Sequence, residues 1–142
     1  MATTDDDTPA PPERVELVED AGFWRAVDAG HLELARCDEC GAWSGVARSC
    51  VACGSPTYSW HRASGRGVVR TFAVFHRPFH KYFAELLPYN VAVVALEEGP
   101  EIVTNVVDTP LAEIDVGMPV RIEMRLRGEA LIPQAVPVAD GL

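Results

Sequence analysis

Four cysteines dominate the chemistry this chain can do. Cys37-Asp-Glu-Cys40 is followed, after nine residues, by Cys50-Val-Ala-Cys53, and each pair runs directly into a glycine, Gly41 and Gly54. Two such knuckles turn backbone amides toward the sulfurs while four thiolates close a tetrahedron around one ion, so the spacing points to a structural zinc held by Cys37, Cys40, Cys50 and Cys53. An iron centre of rubredoxin type is the alternative metal, because a four-thiolate tetrahedron also suits iron. A closed set of four ligands leaves no coordination position for substrate, which assigns the ion to structure. Redox chemistry through one CxxC is disfavoured, since that motif normally stands alone on a thioredoxin-like unit. His31 and His61 flank the cysteines and read as ordinary surface groups or as partners of the ligands.

A second concentration of chemistry lies in His76-Arg-Pro-Phe-His-Lys81-Tyr-Phe-Ala-Glu-Leu-Leu-Pro88. Arg77, His80 and Lys81 are candidate contacts for a phosphate-bearing cofactor such as coenzyme A or for a partner protein, with Phe79, Tyr82 and Phe83 interleaved. The competing reading is a packed connection whose aromatics cover one end of the core and whose histidines bond to backbone. No nucleophile elbow, glycine-rich phosphate loop, HExxH motif or paired carboxylates occur, so no catalytic residue is assigned.

Charge sharpens the contrast between segments. The formal net charge is -9, but seven acids lie in residues 1–20 against Arg14 alone. No acid occurs between Cys40 and Ala84, where Arg48, Arg62, Arg66, Arg70, Arg77 and Lys81 all fall. With four thiolates on a dication counted in, this middle stretch nets about +4. It favours an anionic ligand or an acidic surface. The alternative is a solvated face paired with the acidic second half. A pI near 4.8 argues against a broad nucleic-acid footprint.

The elements that must position these groups can be read from periodicity. Pro9, Pro11 and Pro12 beside an acidic run make 1–14 an expected disordered tail. From Val15 to His31 apolar residues recur at helical spacing, giving one or two short helices that stop near Gly30. His31-Leu-Glu-Leu-Ala-Arg36 alternates as a strand feeding the first knuckle, and 15–62 forms the N-terminal helices and zinc ribbon. Residues 63–142 form the second unit, with strand-like runs at Val68 to His76, Asn90 to Leu96, Glu101 to Val107, Pro119 to Leu126 and Leu131 to Val138. In Val120-Arg-Ile-Glu-Met-Arg-Leu126 the apolar residues face one way and the charged ones the other. Glu97-Glu-Gly-Pro100 and Arg127-Gly-Glu129 read as tight connections, and Thr109-Pro-Leu-Ala-Glu-Ile as a helical turn. Five short strands with one helical interruption between the third and fourth fit a Greek-key OB-fold barrel, with a small sandwich as the alternative. The fold class is therefore mainly β with N-terminal helices, a four-cysteine ribbon preceding the barrel. No run approaches a membrane span and no secretory leader is evident, which with the paired cysteines leads to an expected cytoplasmic location.

Taken together, Phe23-Trp24, Leu32-Glu-Leu-Ala-Arg-Cys37, the two knuckles, Gly65-Arg-Gly67, His76-Arg-Pro78, Pro88-Tyr89, Leu96-Glu-Glu-Gly-Pro100, Thr104-Asn105 and Gly117-Met-Pro-Val120 resemble the DUF35 family over about Val15 to Val138. Members of that family are zinc-ribbon and OB-fold proteins associated with acyl-CoA metabolism, described as a helical hairpin, a rubredoxin-like ribbon and an OB barrel. The resemblance implies an accessory subunit of a thiolase-like or lipid-transfer-protein-type enzyme, or of a hydratase, engaged in acyl transfer, condensation or retro-aldol cleavage. It implies an acyl-CoA thioester as ligand of the assembly. One departure is Trp43-Ser-Gly-Val-Ala-Arg48 between the knuckles, where family ribbons often carry prolines. A nucleic-acid-binding ribbon and barrel, or a free-standing acyl-CoA-binding protein, are the alternatives.

Overall fold

The computed structural model describes residues 9–45 and 49–139. Residues 1–8 of the expected tail therefore lie outside the described residues. The following segment runs onto the protein: Pro11 lies beside Gly128, and the Arg14 guanidinium reaches both carboxylate oxygens of Asp28, at 2.8 and 3.2 Å, and the Leu131 carbonyl at 2.9 Å.

One 3-10 turn, Val18–Asp20, leads into helix α1, Ala21–Asp28, which buries Gly22, Ala26 and Val27. The described residues thus carry one α-helix and a 3-10 turn where a helical hairpin is implied by the resemblance. Gly30 ends the helix with φ +93°, and the chain closes a Schellman arrangement, Gly30 N–H donating to Val27 C=O and His31 N–H to Ala26 C=O. Gly22 lets α1 lie on the indole of Trp60: a Cβ there would sit 2.2 Å from the ring.

The ribbon is a three-stranded antiparallel sheet of β1 (Glu33–Cys37), β2 (Trp43–Ser44) and β3 (Tyr58–Arg62), with β1 in the centre. Strand β3 was not among the runs expected from the sequence. Its five residues show no strong apolar alternation; what holds them extended is the full register against β1, from Glu33 opposite Arg62 to Cys37 opposite Tyr58.

The second sheet holds β4 (Arg66–Phe75), β5 (Tyr89–Leu96), β6 (Glu101–Thr104), β7 (Pro119–Arg127) and β8 (Ala130–Pro137) in the order β6-β5-β4-β7-β8. A bulge between Val69 and Thr71 bends β4, the strand shared by both halves of the sheet. Closure comes from a parallel bridge between Val106 and Ala135, with Val107 N–H donating to Ala135 C=O at 2.8 Å and Ala135 N–H to Asn105 C=O at 2.9 Å. This is the OB-fold arrangement, not the sandwich. Side chains complete the seam. Buried Asn90 accepts from Val106 N–H and donates to Val106 C=O, both at 2.8 Å, and Thr104 Oγ1 donates to Pro133 C=O at 2.9 Å. A 3-10 turn at Leu111–Glu113 carries Ile114 into the core, as the helical-turn reading expects.

Leu32 and Leu34 of the ribbon side belong to the same buried cluster as Val69, Ala92, Val94, Val106, Val120 and Ile122 of the barrel. Ribbon and barrel therefore share one apolar core. Alternation holds along β5, where Asn90, Ala92, Val94 and Leu96 are buried, but it fails at the end of β7: Leu126 is 69% exposed while Arg127 is half-buried. β7 pairs with β4 only as far as Arg121 and beyond that with β8 alone, so the pattern that ran true through Ile122 no longer decides which side chain is covered.

Candidate functional site

Strand β1 delivers Cys37 at its last residue and the turn after it delivers Cys40; the loop between β2 and β3 delivers Cys50 and Cys53. The two knuckles share one geometry. Gly41 N–H donates to Cys37 C=O at 3.1 Å and Gly54 N–H to Cys50 C=O at 2.7 Å, and both glycines take the left-handed φ, +79° and +81°, that a side chain would resist. Arg36 braces the first knuckle by donating to Gly41 C=O at 2.8 Å and stacking over Trp43.

All four sulfurs lie within 4.8 Å of one another, with Cys37 to Cys53 and Cys40 to Cys50 at 3.6 Å, and no disulfide joins them. A zinc tetrahedron with bonds of about 2.3 Å has edges of about 3.8 Å, so the set fits that ion. Amide hydrogen bonds from Cys40 and Glu39 pull the Cys37 thiol down to about 6. The Ser55 amide also pulls Cys53 down, yet its thiol neighbours, Cys37 foremost, and desolvation prevail and push it up to about 12. Four thiols so close cannot all ionise unaided, and a cation is what would let them. His31 bonds Glu33 at 2.7 Å and His61 packs edge-on to Trp43, so neither histidine enters the cluster.

The basic aromatic loop joins β4 to β5 and contains a 3-10 turn, Lys81–Leu86. His80 caps that turn, its Nδ1 accepting from Tyr82 N–H at 3.0 Å. Arg77 and Lys81 are exposed and form no ion pair among the described residues. Phe83 stacks on Tyr89 with ring centroids 5.0 Å apart, and Tyr82 meets Phe83 edge-on at 5.1 Å. Phe79 touches Phe75 at 5.2 Å and stays 81% exposed. Both readings of this loop thus find support: aromatics that cover the barrel, and a rim of exposed cations with one exposed ring. The sequence missed Arg127, whose guanidinium lies 5.1 Å over Phe83. The sequence reading put it in the tight connection Arg127-Gly-Glu129, and nothing local signalled the contact.

Within the described part of the barrel no serine or threonine is hydrogen-bonded to a histidine. The molecule is defined by a four-cysteine ribbon sharing a core with an OB barrel. A family model described as the C-terminal OB-fold domain of ChsH2 matches residues 60–125. The chain is 31% identical over 105 residues to a DUF35 domain-containing scaffold protein of Methanocaldococcus jannaschii, covering 72% of this chain and 74% of that one. It is 36% identical over 109 residues to a probable enoyl-CoA hydratase alpha subunit of Thermomonospora curvata, covering 75% of this chain. It spans only about a third, 34%, of that longer relative. Among solved structures, a chain of the Ltp2-ChsH2(DUF35) aldolase superposes with a TM-score of 0.81 at 30% identity, over 89% of this chain and all of that one. The chain belongs to the DUF35 family. No helix among the described residues is long and apolar enough to cross a membrane.

Proposed function

We propose that this chain is an accessory subunit of an enzyme acting on acyl-CoA thioesters, with zinc held by Cys37, Cys40, Cys50 and Cys53 as a structural ion. The observation that carries the reading is the match along 89% of the chain to a component of the Ltp2-ChsH2(DUF35) aldolase. The relative named as a scaffold and the one named as a hydratase subunit support the same role. Four thiolates that would close around a zinc ion support a structural part for the metal.

The ribbon unit 15–62 and the barrel unit 63–142 act as one body through their common core. Arg77, His80 and Lys81 line the partner-facing rim, Arg77 and Lys81 supplying charge for the partner or for CoA phosphates while His80 holds the turn that presents them. Protein interfaces draw disproportionately on arginine and exposed aromatics, the types gathered here. The reading is tested by co-expressing the tagged chain with any thiolase-like or hydratase protein encoded beside it. A stable complex that survives purification is the expected result. No association with any such neighbour, together with acyl-CoA turnover by the chain alone, would overturn it.

A further inference from the structure

Arg127 stands apart from every other arginine on the barrel strands. Arg66 pairs with Glu97, Arg70 with Glu101, Arg121 with Glu123, and Arg125 with Asp108 at 2.7 Å. Arg66, Arg70 and Arg121 of these lie well exposed, and Arg125 is partly covered. Arg127 is half-buried and has no carboxylate partner among the described residues; it donates to the neutral Asn105 Oδ1 at 3.1 Å. Asn105 is itself held by Gln134 Nε2 at 3.2 Å and by its own bond to Asn90 C=O at 2.5 Å, so Arg127 rests on a fixed amide. A guanidinium has five N–H donors, and Asn105 accepts from one of them. In a chain of net charge -9, Arg127 is the barrel-strand arginine left without an acid among the described residues. Such a charge is costly unless something anionic completes it.

The space for that group is present. Arg127 and Asn105 border an open cleft of about 360 Å³ between the 3-10 turn Lys81–Leu86 and the β7–β8 hairpin. Phe83, Leu86, Leu111 and Ile132 give it apolar wall, and Thr109 and Gln134 give it polar wall. A concave volume of this size, with one charge and a few fixed polar groups beside apolar side chains, is a form that small-molecule sites take. We infer that the Arg127 cleft binds a small carboxylate with an apolar body, the carboxylate on the guanidinium fork and the body against Phe83 and Leu111. A bare phosphate would leave the apolar walls wet, and a neutral apolar molecule would leave the cation unpaired. This inference concerns the chain by itself and does not rest on the accessory-subunit reading.

The test is calorimetry on the full-length, metal-loaded chain with 3-phenylpropionate, 3-phenylpropan-1-ol and inorganic phosphate, while NMR follows the Arg127 side-chain N–H signal. Expected are saturable binding of the carboxylate with a shift of that signal, and binding of the alcohol and of phosphate weaker by about tenfold or more. Arg127→Gln should weaken the carboxylate by at least about tenfold while leaving the ligand-free melting temperature equal or higher, because it removes an unpaired, half-covered charge. Should that variant fail to fold, the ligand series on the unmodified chain and Phe83→Leu carry the test, the latter weakening the acid without moving phosphate. No carboxylate binding, equal binding of the alcohol or of phosphate, binding that leaves the Arg127 signal in place, or undiminished binding by a folded Arg127→Gln would each overturn the proposal.

Discussion

Replacing Cys37 or Cys50 by serine removes one of four sulfurs that sit within 4.8 Å of one another, and the remaining three no longer close a tetrahedron. The expected outcome is loss of about one zinc per chain by elemental analysis and unfolding of the ribbon, since binding energy at such sites is folding energy. Stoichiometric iron in the wild-type protein would favour the rubredoxin-type alternative, and a metal-free, fully folded wild type would contradict the assignment. A second residue-scale expectation concerns Gly22. Alanine in a helix usually stabilises by up to about 1 kcal/mol over glycine, but here its Cβ would lie 2.2 Å from the Trp60 ring. Overpacking should prevail, and Gly22→Ala should cost about 1–3 kcal/mol in urea unfolding.

At the scale of elements, Arg14 fastens the segment before α1 to the helix through Asp28 and to β8 through the Leu131 carbonyl, while also bonding Glu16 of its own segment and lying 4.5 Å over Trp24. Arg14→Ala should destabilise by about 2 kcal/mol, because several charge-assisted bonds are lost at once. The pair also sets a pH dependence. Arg14 holds the Asp28 carboxyl below its ordinary 3.8, so the contribution of the ion pair is complete above that value and is lost as the pH falls through the lower, folded value. Asp28→Asn should therefore be less stable than wild type at pH 7, and the gap between the two urea midpoints should close below about pH 4; a gap independent of pH would contradict the pairing. Which elements could be foreseen follows from what holds each one. Strands β5 and β7 carry their own apolar alternation, and the knuckles carry their own cysteine spacing, so both are legible. Strand β3 is extended because β1 pairs with it, and the barrel closes at the Val106–Ala135 bridge, where the side chain of the polar Asn90 holds Val106 in place. Arg127 illustrates the same limit within the site: it contacts Phe83, 44 positions earlier in the chain, at the end of β7 beyond its pairing with β4.

For the molecule as a whole, the acidic chain presents a rim of exposed cations beside an exposed phenylalanine. Because Arg77 and Lys81 make no ion pair among the described residues, changing both to alanine should leave the melting temperature nearly unchanged. Affinity for the partner enzyme, measured by calorimetry, should fall, and more at low salt than at high, since screening weakens the charge contribution already present in the wild type. Equal affinities at every ionic strength would return the loop to a cover for the barrel end. Under the proposed function, this chain serves the chemistry of another protein. The most direct test is the specific acyl-CoA activity of the purified partner, titrated with this chain. Activity that rises and saturates at a fixed stoichiometry, with none in the chain alone, is the predicted result; turnover by the chain alone, or a partner whose activity and assembly ignore it, would contradict the claim.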